Sequence, residues 1–290
     1  MIKMSRNDLC WCGSKKKYKY CHEAIDQKLL RAKTLGIEIP DRNLLKTQAQ
    51  LNGIRESGKI NILVLDAVQE AVCAGMSTGD IDRLVYQKTI AMGGIPAQLG
   101  YEGFPKSVCT SVNDQVCHGI PSDDVVLTEG DIINIDASTI YQGFFSDSSR
   151  MLCIGEVSKQ SKELVQMVEE SVRIGLTYVK PWKRIGDVGH AIHAHARKNG
   201  YSVVKDIGGH GIGLAFHEDP WVSFVAKAGT GMLMVPGMVF TIEPMINIGS
   251  ADVVMDSENG WTVYTADGSL SAQCEVTVAV TEDGYEILSY

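Results

Sequence analysis

No stretch of this 290-residue chain is long and apolar enough to read as a membrane span. The segment from Ile60 to Met76 is broken by Asp66, Gln69 and Glu70. No apolar run follows the first positive charges, so no secretory leader is expected. Excess positive charge is missing as well. The chain carries 27 basic and 35 acidic side chains, a net charge of −8, which favours solubility and makes no overall case for nucleic acid. It has no repeat of solenoid period, and only the run 15–19 is compositionally biased. What remains, 44% hydrophobic and 21% charged, is ordinary for a globular protein with a true core. The length suits one large domain with at most a small appendage. Eight cysteines fall into a tight cluster (Cys10, Cys12, Cys21) and a scattered set. The length, the absent leader and the cluster together favour reduced thiols in a cytoplasm over a disulfide framework.

Residues 1–24 read as a separate module. Cys10, Cys12, Cys21 and His22 follow the pattern C-x-C-x8-C-H, and three thiols with an imidazole in 13 residues match a closed tetrahedral zinc site. So short a segment has no core of its own, so the metal would supply its folding energy. Lys3, Arg6, Lys15, Lys16, Lys17 and Lys19 face only Asp8 and Glu23, giving +4, which a zinc ion on three thiolates reduces to +3. These cations, with Trp11, Tyr18 and Tyr20, suit ribosomal RNA or an acidic protein surface. The alternative is a zinc-stapled cap with solvated lysines, and partner binding is the reading favoured over it. Residues 25–42 are expected to be a linker, and 43–290 the main domain.

Within that domain, Leu44, Leu51, Ile54, Ile62, Leu65 and Val68 predict one long helix or two, with Gly53 and Gly58 as weak points. Ser77 and Asp80 form a capping box for a helix to about Met92. Strands are predicted over 107–112, 131–141 and 144–154, the last two joined by a turn at Gln142-Gly143. Apolar spacing marks two more helices, at Leu164 to Leu176 and Ile185 to Ala196. Further strands are expected over 238–248, 261–265 and 271–281. Helices alternating with antiparallel hairpins define an α+β fold with helices packed on a curved sheet.

Five side chains that favour metals each sit in a short stretch of their own. Asp136 lies in Ile-Asn-Ile-Asp-Ala, Asp147 in Phe-Ser-Asp-Ser-Ser-Arg, and His210 in Gly-Gly-His-Gly-Ile-Gly. Glu243 lies in Phe-Thr-Ile-Glu-Pro-Met and Glu275 in Ala-Gln-Cys-Glu-Val-Thr. Asp136 among isoleucines is expensive to bury without a cation, although a strand-end acid in solvent explains it equally well alone. The glycines around His210 are not followed by the Lys-Ser/Thr of a phosphate loop, which argues against phosphate binding. Four carboxylates and one imidazole suit two divalent ions sharing bridging oxygens, a pair able to lower the pKa of water and polarise a carbonyl. His190, His193 and His195 are tempting, but on a helix the third points away from the first two, so they read as structural or solvent-facing.

Taken with the stretches 99–109, 112–121, 216–220 and 269–277, these motifs resemble the type I methionine aminopeptidases, over about residues 43–290. The wider family shares the pita-bread α+β fold. The resemblance implies that Asp136 chelates one ion, Asp147 and Glu275 bridge both, and His210 and Glu243 complete the other, with Glu243 also shuttling a proton. The metal could be Co, Mn, Fe or Zn. It implies substrate contacts for His118 near the scissile amide and for His217 as a donor. Tyr101, Phe104, Cys109, Phe216 and Trp261 would line a methionine pocket, which suits an unbranched thioether. The implied activity is removal of the initiator methionine from nascent chains with a small second residue, by a monomer in the cytoplasm. The N-terminal module resembles the SEC-C motif. Three positions depart from the family pattern: Val276 replaces a common His, Ser146 a frequent Gly, and Gln98 a pocket cysteine. Two further readings use the same fold, an Xaa-Pro dipeptidase and a non-catalytic ribosome-binding protein.

Overall fold

The computed structural model describes residues 4–290, so Lys3 and its two predecessors lie outside the described residues. In chain order the first elements are α1 (Glu23–Thr34), α2 (Gln48–Ala71), α3 (Thr78–Ala91), β1 (Ile95–Pro96), β2 (Cys109–Val112), β3 (Gln115–Cys117), β4 (Ile132–Tyr141) and β5 (Phe144–Cys153). After α4 (Lys159–Tyr178) and α5 (Gly186–Lys198) come β6 (Ser202–Val203), β7 (Gly209–Gly211), β8 (Glu218–Val222), β9 (Val239–Ile242) and β10 (Met245–Asn247). The chain closes with β11 (Val253–Met255), β12 (Val263–Thr265), β13 (Ser271–Gln273), β14 (Val276–Val280) and β15 (Tyr285–Ser289). All pairings are antiparallel.

The predicted weak points in the long helix do not break it. α2 runs unbroken through Gly53 and Gly58, opened by a Thr47 capping box with Gln50. Its length is set by packing on β4 and β5. Ser57 donates to the Thr139 carbonyl at 2.8 Å, and Asn61 donates to the Ala137 carbonyl at 2.7 Å. A Cβ on Gly58 would stand 2.0 Å from the Leu288 carbonyl oxygen, so glycine is there for close approach to β15. The Ser77 capping box opens α3 as expected, with both reciprocal bonds at 3.0 Å.

β4 and β5 form the predicted hairpin. Gln142 and Gly143 both take positive φ (51° and 83°), which a two-residue turn between twisted strands requires. The register pairs Asp136 with Ser149 and Ser138 with Asp147, so the two acids are diagonal neighbours on one face. On its other edge, β4 is shared by β1 and β2.

The two late strands differ from expectation. Residues 238–248 split into β9 and β10, and 271–281 into β13 and β14. Pro244 lacks the N–H needed to continue pairing. The break changes sheets: Ile242 pairs with Val276 in one sheet and Met245 with Gln273 in another. Glu243 and Glu275 stand at the two breaks, where carboxylates turn inward.

Residues 25–42, expected as a linker, contain most of α1, and Leu29 is only 1% exposed in the largest core cluster. The Glu38 carbonyl accepts from Leu233 N at 2.9 Å. Hydrophobic spacing in so short a segment gave no hint of what it would pack against.

Helix propensity alone would make Gly58→Ala stabilising by about 1 kcal/mol. The contact with Leu288 reverses that sign. Urea unfolding of Gly58→Ala is expected to show a net loss of about 1–3 kcal/mol, and unchanged or raised stability would contradict the close packing of α2 on β15.

Candidate metal centre and substrate cavity

Strand register gathers the five metal-favouring residues at one buried point. β4 and β5 supply Asp136 and Asp147, β7 supplies His210, and the breaks in the late strands supply Glu243 and Glu275. Ligand atoms of Asp147, His210 and Glu275 all lie within 4.8 Å of one another. His210 Nε2 stands 3.6 Å from Glu243 Oε1 and 3.8 Å from Asp147 Oδ2. A Ser149–Glu275 bridge joins β5 to the Glu275 break.

The imidazole is oriented by its other nitrogen. His210 Nδ1 lies 3.0 Å from the Gly211 carbonyl oxygen, which can only accept. Nδ1 therefore carries the proton, and Nε2 turns a bare lone pair toward the carboxylates, as a ligand requires. The glycines beside His210 allow tight strand packing. A Cβ on Gly211 would meet the Asp219 carbonyl oxygen at 2.0 Å.

The carboxylates are held in turn. Ser138 Oγ donates to Asp147 Oδ1 and Thr241 Oγ1 to Glu243 Oε1, both at 2.6 Å. Gln273 Nε2 donates to Glu243 Oε2 at 3.1 Å. Glu275 Oε1 is buried with no hydrogen-bond partner. Desolvation pushes Asp136 up to about 7 and Glu243 to about 8. Burial also drives Asp147 and Glu275 well above the usual carboxylate range, reinforced by negative neighbours. Burial pushes His210 down to about 3, so it is neutral. Four crowded carboxylates, one orphaned oxygen and a neutral imidazole fit two divalent cations, whose charge balances the site.

Beside this centre lies a cavity of about 640 Å³. All seven residues expected to contact substrate line it: Tyr101, Phe104, Cys109, His118, Phe216, His217 and Trp261. Phe104 and Trp261 meet edge to face at 5.2 Å, as do Tyr101 and Phe216 at 4.8 Å. His217 Nδ1 is 2.8 Å from the Tyr101 hydroxyl, and its ring lies 4.2 Å from that of His210. His118 adopts φ 54°, and burial pushes its pKa down to about 4. His190, His193 and His195 lie on α5 away from the cavity, with His195 3.4 Å from Glu170.

Sequence reasoning overlooked the residues that hold the ligands. Ser138, Thr241 and Gln273 each stand two positions from a predicted ligand, the spacing that shares a strand face. That signal was available. Lys46 and Glu218 had none. Their buried ion pair crosses from Lys46, two residues before α2, to the start of β8. Glu218 Oε1 also accepts from Leu214 N and Ala215 N at 2.6 and 3.0 Å, steadying the loop that carries Phe216 and His217.

The N-terminal cluster also converges. Cys10, Cys12, Cys21 and His22 offer donor atoms within 4.8 Å of one another. His22 Nδ1 is 3.1 Å from Cys10 Sγ and 3.2 Å from Cys21 Sγ, and none of these thiols is in a disulfide. This donor set fits one structural zinc ion.

Comparison with known proteins agrees with both parts. Metallopeptidase family M24 matches residues 52–282, and the SEC-C motif matches residues 6–24. The chain is 46% identical over 249 residues to methionine aminopeptidase A of Synechocystis sp., covering 86% of this chain and 98% of that protein. It is 41% identical over 290 residues to a methionine aminopeptidase of Chlamydia pneumoniae, covering 99% of each chain and so taking in the cysteine cluster. The crystal structure of methionine aminopeptidase from Rickettsia prowazekii superposes with a TM-score of 0.83 at 42% identity. That match covers 85% of this chain and 99% of the other. The fold is the pita-bread arrangement of that group.

Two outcomes follow from the geometry. Asp147→Asn should leave less than one ion per chain at the buried centre by elemental analysis. In metal-free protein it should raise stability by on the order of 1 kcal/mol, because one of four crowded acids is gone. Full metal content with lower metal-free stability would contradict both halves. Cys21→Ser should remove zinc from the N-terminal module while sparing the buried centre, so a loss of metal from the buried centre would show that the two sites are not separate.

Proposed function

The chain belongs to metallopeptidase family M24, and within it we infer a methionine aminopeptidase that removes the initiator methionine from new chains with a small second residue. The observation that carries this reading is the joining of an oxygen-rich ligand cluster to an aromatic slot in one cavity.

Asp136, Asp147, His210, Glu243 and Glu275 would hold two divalent ions, Co, Mn, Fe or Zn. Bound there, such ions would supply Lewis acidity for the scissile carbonyl and would lower the pKa of water so that hydroxide is available near neutral pH. The chain's own groups do the rest. Tyr101, Phe104, Phe216 and Trp261, with Cys109, enclose an unbranched thioether side chain and exclude water. Glu243, its oxygens fixed by Thr241 and Gln273, takes the proton of the attacking water and returns it to the leaving amine. His118, kept neutral by burial, hydrogen-bonds the scissile amide. His217, braced by the Tyr101 hydroxyl, donates to the carbonyl oxygen as charge builds there.

The substrates are N-termini of nascent polypeptides, and the enzyme works as a monomer in the cytoplasm. No helix among the described residues is long and apolar enough to cross a membrane. The zinc module, with its lysines and with Leu9 and Tyr20 exposed at 66% and 72%, supports docking on the ribosome.

Wild-type protein loaded with Mn²⁺ should cleave Met-Ala-Ser and leave Xaa-Pro dipeptides intact. The reverse preference would mark a dipeptidase, and cleavage of neither would mark a non-catalytic protein. His118→Ala should keep its metal while turnover falls roughly 10²-fold. Lost metal with normal turnover per ion would overturn its role.

A further inference from the structure

One edge of β4 is covered by two strands laid end to end, with a gap between them. β1 pairs with Thr139 and Ile140, and Ala97 N then bonds to the Ser138 carbonyl at 2.9 Å. β2 resumes the ladder only at Asp136, paired with Cys109. Asp136 O and Ser138 N lie where these two short ladders meet. The side chain of Gln98, 5% exposed, fills the space. Its Nε2 donates to Asp136 O at 3.0 Å, and its Oε1 accepts from Ser138 N at 3.0 Å. Nε2 also lies 3.4 Å from the Asp136 carboxylate.

The chemistry fixes the amide's direction. Ser138 N–H can only donate and Asp136 C=O can only accept, so a flipped amide would lose both bonds. The primary amide bridges the two ladders through both of its polar atoms. A thiol at this place, the residue type noted above for the family pattern, offers a single weakly bonding atom and could not span both groups.

We propose that Gln98 is a positioning residue for the metal centre, setting the Asp136 end of the site before any ion arrives. It acts on Asp136 through backbone and carboxylate together. It acts on Asp147 through Ser138, whose hydroxyl donates to Asp147 Oδ1 at 2.6 Å. Glu243 and His210 are steadied separately, by Thr241, Gln273 and the Gly211 carbonyl. Gln98 therefore governs one ion of the pair more than the other. This inference rests on the two-ion reading of the site.

The test is stepwise Mn²⁺ binding by calorimetry on the full chain, paired with thermal melts of the metal-free protein. Two variants are compared with wild type. Gln98→Met keeps the side-chain length without the amide, and Gln98→Ala removes any crowding. In both, one binding step should weaken about 10- to 100-fold, as loss of a group that orients a ligand typically does. The other step should stay within a few-fold of wild type, with turnover falling in step with the weakened ion. Unchanged affinities, equal weakening of both steps, or failure of both variants to fold would each overturn the proposal, the last two by showing a general structural role. If wild-type protein itself takes up no Mn²⁺, the two-ion reading fails first and the inference falls with it.

Discussion

Four carboxylates sharing one buried pocket dictate much of what surrounds them. Desolvation and mutual repulsion make such a cluster unstable unless positive charge arrives or protons stay on. The pocket contains no lysine or arginine among its lining residues, so the protein does not neutralise itself. Instead the fold keeps the acids apart in origin and together in space. Each comes from a different strand or strand break, and Asp147 and Glu243 are held by neutral donors. Ser138, Thr241 and Gln273 orient the oxygens without cancelling their charge. A site built this way is unfavourable when empty and favourable when filled, as a metal site with preset geometry must be.

The two late strand breaks are the structural cost of that arrangement. A continuous strand alternates its side chains between faces and cannot aim a glutamate along the sheet edge. Breaking both strands at opposing positions lets β9–β14 and β10–β13 diverge, and the divergence opens the room that Glu243 and Glu275 share. Proline after Glu243 enforces the break on one side. The space between the two sheets thus lies where Glu243 and Glu275 enter the cavity.

What could be read from the chain, and what could not, follows physical lines. The hairpin with Asp136 and Asp147 was legible because alternation and a Gln-Gly turn are local signals. The five metal-favouring residues that line the cavity were legible as candidates because each keeps a distinctive neighbourhood. The strand breaks were missed because an apolar stretch on either side of Glu-Pro or Cys-Glu has the same pattern whether or not it changes sheets. Gln98 stood out as a departure, yet its partners could not be foreseen, since they depend on where β1 ends relative to β2. Lys46 and Glu218 are 172 residues apart, and no local pattern links them.

Residues 25–47 connect the two metal systems. Tyr18 donates to the buried Asp26 at 2.6 Å, and Arg42 pairs with the same carboxylate while lying 5.8 Å from the Trp11 ring. A buried acid with two such partners is costly to expose singly, so module, α1 and residue 42 are held as a unit. Leu29 anchors that unit in the core, and Lys46, four residues beyond Arg42, reaches Glu218 beneath the loop of Phe216 and His217. Cys10, Cys12, Cys21 and His22 therefore sit at one end of a packed path whose other end steadies the cavity loop. A flexible tether would let the module wander. This packed connection ties the module to the core through Asp26 and Arg42.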